Sequence, residues 1–500
     1  MGPYVVRDFR PFIILAFFYL LVIGSYLYAY PFFPIMYSQD YFTYLSNSLN
    51  LANGIKVDSL FFANPAIALL LASWISLNFN DVLFLTRLFL AFILWSSLPF
   101  IYFIGDHSGG ERGGLIATIV YIAMNPFLTF TMLYSGLYAN ALGITLGLSA
   151  ISWFIVAIKE QSVKRMIFLP LYGFILIFSH STNILIYATL FLSTLYLKIF
   201  ENKKGLMKPF TYLFLGISPI LLLTPVIISR LPSTLSSPFL LIEASSNEFF
   251  SYVLRNLPLL KFIYLSSGEN IFSLILLTIS LTLTSLYLLK KKLEYYIIPF
   301  SWLVLIIVIS QFSTNVWRFA LLAFVPLSLI SPLVYEKILS PLISKTIHAM
   351  PSKVFKKTCK YLILAFMIIL LYLPSHSNII LPIYASSWSR PQQEGFYECL
   401  LWFRENSEYN STVASLGGGP YMYFLPYIAN RSFLRVFPGE NPEYIYDILK
   451  NYSTGYVVVW NRLHPYNGSF YYVNLYKNSS LFREVWSNSE VTVFKLVRRE

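Results

Sequence analysis

The residues best suited to chemistry stand just after the first apolar run, in Tyr37-Ser38-Gln39-Asp40-Tyr41-Phe42-Thr43-Tyr44. A lone carboxylate among aromatic rings at a membrane surface can take a proton from a hydroxyl or hold a divalent metal ion. It can equally cap a helix or sit solvated in a loop, and the residues alone leave both readings open. Gly417-Gly418-Gly419-Pro420 has the glycines of a phosphate-cradling loop. No G-x-G-x-x-G or Walker pattern follows and Pro420 interrupts the run, so it reads as a turn. The two cysteines, Cys359 and Cys399, form no disulfide framework, and no metal-ligand spacing occurs. N-x-S/T acceptors for asparagine-linked glycans stand at Asn410, Asn430, Asn451, Asn467 and Asn478.

The elements that must position these residues are set by composition. Hydrophobic residues make up 57% of the 500 and charged residues only 12%, against roughly a quarter charged in soluble domains. The 44 Phe and 38 Tyr suit two bilayer interfaces. A net charge of +13 could signal nucleic acid. The basic residues fall instead in short clusters between apolar runs, which is a topological pattern and excludes a nucleic-acid surface.

A bilayer core needs roughly 20 apolar residues per helix. The first run, Pro11 to Tyr30, follows Arg7 and Arg10 and lacks a small-residue cleavage site, so it reads as an anchor with its N-terminal side in the cytoplasm. Further runs near 82–104, 113–133, 138–158, 166–179, 183–200, 209–229, 271–289, 295–312, 319–335 and 361–377 predict about 11 spans. Lys159/Lys164/Arg165, Lys203/Lys204/Lys208, Lys290/Lys291/Lys292 and Lys353/Lys356/Lys357/Lys360 then share one side, while the loops around Ser135, Ser179 and Thr314 carry almost no lysine. That is the positive-inside pattern, and it places the N-terminus in and the C-terminus out. The apolar stretch Asn64 to Leu77 is too short to span and is expected to lie along the outer side.

The chain therefore divides into a multi-span domain, 1–377, with outer loops 31–63 and 230–270, and an extracytoplasmic domain, 378–500, that carries all five glycan acceptors. No internal repeat is evident. In the tail, Phe396, Cys399, Leu400 and Phe403 share one face of a helix. Strands are expected at Thr412 to Ser415, Tyr456 to Trp460 and Thr492 to Val497, with a helix over Pro442 to Lys450. The fold class is an all-α polytopic membrane domain followed by a small α/β domain.

The layout resembles the GT-C superfamily of polytopic glycosyltransferases, which includes oligosaccharyltransferases and protein O-mannosyltransferases. The resemblance rests on Asp40 after the first span and the helical stretch ending Leu51-Ala52-Asn53-Gly54. It rests also on Asn64-Pro65-Ala66, Leu85-Thr86-Arg87-Leu88, Tyr134-Ser135-Gly136-Leu137-Tyr138, Ser179-His180-Ser181-Thr182 and Trp317-Arg318-Phe319. In the tail, Val413-Ala414-Ser415-Leu416-Gly417-Gly418-Gly419 and Ala429-Asn430-Arg431 complete it. It implies a plasma-membrane enzyme that takes a sugar from a polyprenyl-phosphate carrier and passes it to a glycan or protein acceptor.

In that reading Asp40 is the catalytic acidic residue, acting as base or orienting a divalent cation. Arg318 matches an arginine that holds the carrier's phosphate, a task its planar fork suits, and His180 adds a hydrogen bond or a proton transfer. The W-W-D-Y-G signature is absent, with Ser415-Leu416-Gly417-Gly418-Gly419 in its place, which speaks against asparagine glycosylation as the chain's own reaction. The segment Tyr134 to Asn140 lacks the second acidic residue common in the family. Asp58, Glu243, Glu248 or Glu269 substitutes for it, or the enzyme works without metal, or the chain is inactive. Two other readings are a transporter or flippase for a lipid-linked substrate, and a non-catalytic surface protein. A transporter should carry ionisable residues within its spans, and here those segments are nearly free of charge.

Overall fold

The computed structural model describes residues 9–29, 44–45, 47–48, 51–52, 65–76, 82–124, 138–160, 184–200, 271–290, 294–310, 316–348, 390–416, 425, 429, 431–436, 441–451, 455–461 and 471–497. The expected spans near 166–179, 209–229 and 361–377 and the outer loop 230–270 lie outside them. The chain divides into two compact units, one helical and the other built mainly on Pro382–Glu500.

The helical unit contains α1 (Arg10–Ala29), α2 (Pro65–Ile75), α3 (Val82–Ser96), α4 (Leu98–Met124), α5 (Tyr138–Glu160), α6 (Ile184–Ile199), α7 (Ile271–Leu289), α8 (Ile297–Ser310), α9 (Val316–Val334) and, after a π-turn at Tyr335–Leu339, α10 (Ser340–His348). Apart from α10, which no expected run covers, these bounds follow the expected apolar runs, because a run of about 20 residues without charge forms a helix wherever water is excluded. Among the described residues, three helical stretches are long and apolar enough to cross a membrane: Leu85–Met124, Tyr138–Glu160 and Leu322–Leu342.

The first of these is two legs. Gly110 adopts φ +70°, a left-handed conformation that ends the helical path. The legs before and after it then press together backbone to backbone. A Cβ at Gly105 would lie 2.8 Å from the Gly113 carbonyl oxygen, and one at Gly114 would lie 2.8 Å from that of Tyr102. Helix α2 is 11 residues, or about 16 Å at 1.5 Å per residue, too short for a bilayer core. It buries Ile67, Ala68, Leu71, Ala72 and Ile75, and Trp74 donates its indole N–H to the Leu85 carbonyl at the start of α3.

Side-chain contacts sort the helix ends into two groups. Phe12 packs on Tyr102 while Tyr19 packs on Tyr121, so α1 starts beside the Gly109–Gly110 turn and runs away from it. Gly109 lies against Tyr296 and Pro332, and Lys337 sits 5.8 Å over the Tyr287 ring. The start of α8 and the ends of α7 and α9 therefore join the same end. At the other end, Tyr138 donates to the Thr86 carbonyl at 2.7 Å and Thr145 to that of Ile93, so α3 and α5 start there together. Arg10, Arg112, Lys159, Lys290 and Lys337 thus fall at the turn end with Asp106, Glu111, Glu160 and Glu336. Lys159 and Lys290, the described members of two of the expected clusters, thus share one end of the packed helices.

The second unit is a three-layer α/β fold. A five-stranded sheet has the order β2-β1-β3-β5-β4, with β1 (Thr412–Leu416), β2 (Ser432–Val436), β3 (Gly455–Trp460), β4 (Phe482–Ser487) and β5 (Val491–Leu496). β1 pairs parallel to both β2 and β3, and β5 runs antiparallel between β3 and β4. Helices α12 (Pro442–Leu449) and α13 (Tyr471–Lys477) share one core with Ala414, Leu416, Val457, Val459 and Phe494. Helix α11 (Arg390–Asn406) brings Phe396, Cys399, Leu400 and Phe403, all buried, to the opposite face, where Phe403 meets Tyr456 edge-on. α12 begins where Asn441 accepts from the Tyr444 amide at 2.8 Å and Pro442 takes the first helical position.

Strands β2 and β4 and helix α13 were not expected from the sequence. Both strands are the sheet's edges. An edge strand buries little, and β4 alternates buried and exposed residues only loosely, so neither carries a continuous apolar signal.

Candidate functional site

Trp317-Arg318-Phe319 stands in the first turn of α9. That turn lies about 21 Å, 14 residues at 1.5 Å each, from Pro332 at the turn end. Arg318 therefore belongs to the end at which α3 and α5 begin. A helix N-terminus carries unpaired amide N–H groups and about half a positive charge, a field that favours an anion. Of the described charges that contacts sort to this end, Arg87 is the other. It is half-buried on α3, next to the Thr86 carbonyl that Tyr138 caps. Sequence reading noted Arg87 only as part of a motif. Its position beside a buried tyrosine at the starts of two helices is a signal that needs tertiary contacts.

Chain direction brings further segments to this end. α1 leaves the unit here toward Asp40, α4 ends here ahead of Tyr134, and α6 begins four residues after His180. Asp40 and His180 themselves lie outside the described residues, as do Asp58, Glu243, Glu248 and Glu269. Helical residues at 44–45, 47–48 and 51–52 bear out the helical stretch expected after Asp40. Asn47 in it is buried, and its amide nitrogen has no hydrogen-bond partner among the described residues. No group of three or more His, Cys, Asp or Glu among the described residues could hold a metal ion.

In the second unit, Arg431 is buried and structural. It donates to the Ser407 hydroxyl and carbonyl at 2.7 and 2.6 Å and to the Ala429 carbonyl at 2.6 Å. The guanidinium thereby caps the C-terminal end of α11, where the helix dipole is negative. Glu408 accepts from Lys495 at 2.7 Å and Tyr456 at 2.6 Å. These hydrogen bonds, that from Lys495 first, pull its carboxyl down to about 2. Tyr456 is pushed up by burial and then by Glu408. Burial raises the Cys399 thiol, which makes it inert packing rather than a nucleophile.

A second polar network stands at the opposite edge of the sheet. Asn488 accepts from the Glu490 and Val491 amides and donates to the Gly395 carbonyl and Glu398. Asn461 donates to the Asn488 carbonyl and accepts from Thr492. The hairpin between β4 and β5 is thereby tied to α11.

The chain is similar in fold to solved membrane glycosyltransferases, at a remote distance. ArnT from Cupriavidus metallidurans, solved with undecaprenyl phosphate, is similar over 98% of this chain and 99% of its own, with a TM-score of 0.59 at 10% identity. The apo oligosaccharyltransferase of Archaeoglobus fulgidus is similar over 92% of this chain and 71% of its own, with a TM-score of 0.58 at 10% identity. AglB of the same organism, solved with an inhibitory peptide and a dolichol-phosphate, gives 0.57 at 11% identity over 91% and 70% of the two chains. No protein-family model matches the sequence, and no curated protein does. At such identities the likeness is one of fold.

Proposed function

We propose that this chain is a multi-pass plasma-membrane glycosyltransferase that moves a sugar from a polyprenyl-phosphate donor to a glycan or protein acceptor on the outer face. The observation that carries the reading is the likeness along nearly the whole length of both chains to a protein solved with a polyprenyl phosphate. The arginines at one end of the helical unit support it. About 11 spans, a cytoplasmic N-terminus and an extracytoplasmic domain from residue 378 complete the arrangement, supported by the basic residues gathered at the turn end.

Asp40 takes the proton of the acceptor hydroxyl as its oxygen attacks the sugar's anomeric carbon. The bond from that carbon to the carrier's phosphate oxygen breaks, and Arg318 holds the departing phosphate with two parallel N–H bonds. His180 donates a further hydrogen bond. A divalent cation, where one is bound, would be held by Asp40 with one of Asp58, Glu243, Glu248 or Glu269 and would neutralise phosphate charge.

Purified protein in nanodiscs, given a panel of polyprenyl-phosphate sugars, should release free polyprenyl phosphate, and Asp40→Asn protein should not. Movement of an intact lipid-linked sugar between leaflets without bond cleavage would replace this reading by the transporter one. Impermeant labelling should reach cysteines placed at both Asn64 and Asn78 from outside, and Lys291 only from inside.

A further inference from the structure

Four of the five strands in the second unit point the same way. β2 and β3 are parallel to β1, and β4 is antiparallel to β5, which is itself antiparallel to β3. Thr412, Ser432 and Gly455 are register partners at the starts of their strands. Tyr456 and Arg483 both pair with Lys495, so β4 starts level with them. One edge of the sheet is therefore the starting edge of β1, β2, β3 and β4.

Asn410 stands two residues before β1, Asn451 four before β3 and Asn478 four before β4, each exposed in a turn. By sequence Asn430 precedes β2 by two residues. The strands behind Asn410 and Asn478 are three strand spacings apart, about 14 Å. The opposite edge instead carries the Asn461–Asn488–Thr492 network and the exit of β1 toward Gly417-Gly418-Gly419.

We infer that the starting edge of this sheet is a glycan-bearing edge, modified at Asn410, Asn451 and Asn478. The inference rests on the outer location proposed above for this domain. A separate asparagine-modifying enzyme supplies the sugar from a lipid-phosphate-linked oligosaccharide. An N–C bond to the sugar's anomeric carbon replaces one N–H of the asparagine amide. The bond from that carbon to the carrier phosphate breaks, the phosphate leaves as an anion, and the amide proton passes to that enzyme's base.

Burial orders the events. Thr412, the hydroxyl residue of the Asn410 acceptor, is 6% exposed within β1, so Asn410 is modified before β1 joins the sheet. Ser480, the corresponding residue for Asn478, is exposed, and Asn478 accepts a glycan on the folded domain.

Glycopeptide mass spectrometry of the full chain from glycosylating cells should find a sugar mass on the peptides of Asn410, Asn451 and Asn478, lost one at a time in the Asn→Gln variants. Unglycosylated full-length protein, offered a lipid-linked donor and an oligosaccharyltransferase, should gain sugar at Asn478 when folded and at Asn410 only after denaturation. Equal modification of both in the folded protein would overturn the order. In parallel, Ser489→Cys on the opposite edge, in a Cys359→Ser background, is treated with an impermeant maleimide on intact cells. Labelling from outside with all three asparagines bare, or with Asn467 alone modified, overturns the glycan edge while the topology stands. Labelling only after permeabilisation overturns both.

Discussion

The two units solve opposite versions of one problem. In the helical unit one face of α1 turns large apolar side chains outward, with Ile13, Ile14 and Phe17 each at least 60% exposed, while Tyr19, Val22 and Ile23 are buried. In the second unit the strands β1 and β3 bury every apolar residue but Trp460 between α11 on one face and α12 and α13 on the other. An exposed apolar surface that extensive is not left in water by a folded protein, so the first unit is built for a hydrocarbon solvent and the second for an aqueous one. Polar side chains follow the same division. The buried hydroxyls of Ser152, Thr189, Ser193 and Thr194 each donate to a carbonyl four residues back in their own helices. The second unit spends its polar groups on long-range ties, such as Arg431 to Ser407 and Asn488 to Gly395.

The comparison can be broken most decisively at the site itself. Asp40→Asn keeps the volume and removes the charge, and loss of a catalytic base costs about 10²–10⁴-fold in rate. Turnover in nanodiscs should fall by that factor with the melting temperature of both units unchanged. Arg431→Met, next in size, leaves the Ser407 and Ala429 carbonyls buried without their donor, at about 1–3 kcal/mol for each such group. Thermal unfolding followed by the maleimide reactivity of Cys399 should shift down for the second unit alone, and an equal shift in the helical unit would show that the two do not unfold separately.

A lysine in place of Ile14 sharpens the contrast of solvents. On a water-exposed helix it would be neutral, whereas within a bilayer it costs about 2.5–3.5 kcal/mol. Reduced insertion of Ile14→Lys in microsomes is expected, and normal insertion would argue that the exposed face of α1 meets something other than lipid.

The smallest expected effect concerns acid. The carboxyl of Glu408 titrates near 2 in the folded domain, below the ordinary value of about 4.3. A depressed carboxyl stabilises the folded state above its unfolded value and loses that contribution as pH falls through the window from about 4.3 to about 2. The pair is half-exposed, so solvent screens much of it. Glu408→Gln should flatten the acid limb of the second unit's stability profile and leave its stability near pH 7 lower by a fraction of a kcal/mol.

Reading from residues alone reached the apolar helices of the first unit but not the more polar α10, because hydrocarbon permits only helices and closed barrels and an unbroken run of about 20 apolar residues declares a helix. The same reading found β1, β3 and β5, the strands buried between layers, and passed over β2 and β4 at the edges. It picked out Arg318 by its place in a motif but gave Arg87 no role, since half-burial beside Tyr138 belongs to no local pattern. Arg431 shows the limit from the other side. In sequence it is one more basic residue after a glycan acceptor, and only in the folded domain is it a helix cap.

What the amino-acid sequence determined by itself is which runs are apolar, which of those are helical and which asparagines stand in acceptor motifs, since each depends on residues adjacent in the chain. Tertiary structure alone decided the sorting of helix ends that gathers the basic residues at the Gly109–Gly110 turn and sets Arg87 and Arg318 at the other end. It also decided the strand order that brings Asn410, Asn451 and Asn478 to one edge of a sheet. Both depend on contacts between residues tens to hundreds of positions apart, and the direction in which a packed helix or strand runs is fixed only when its neighbours are in place.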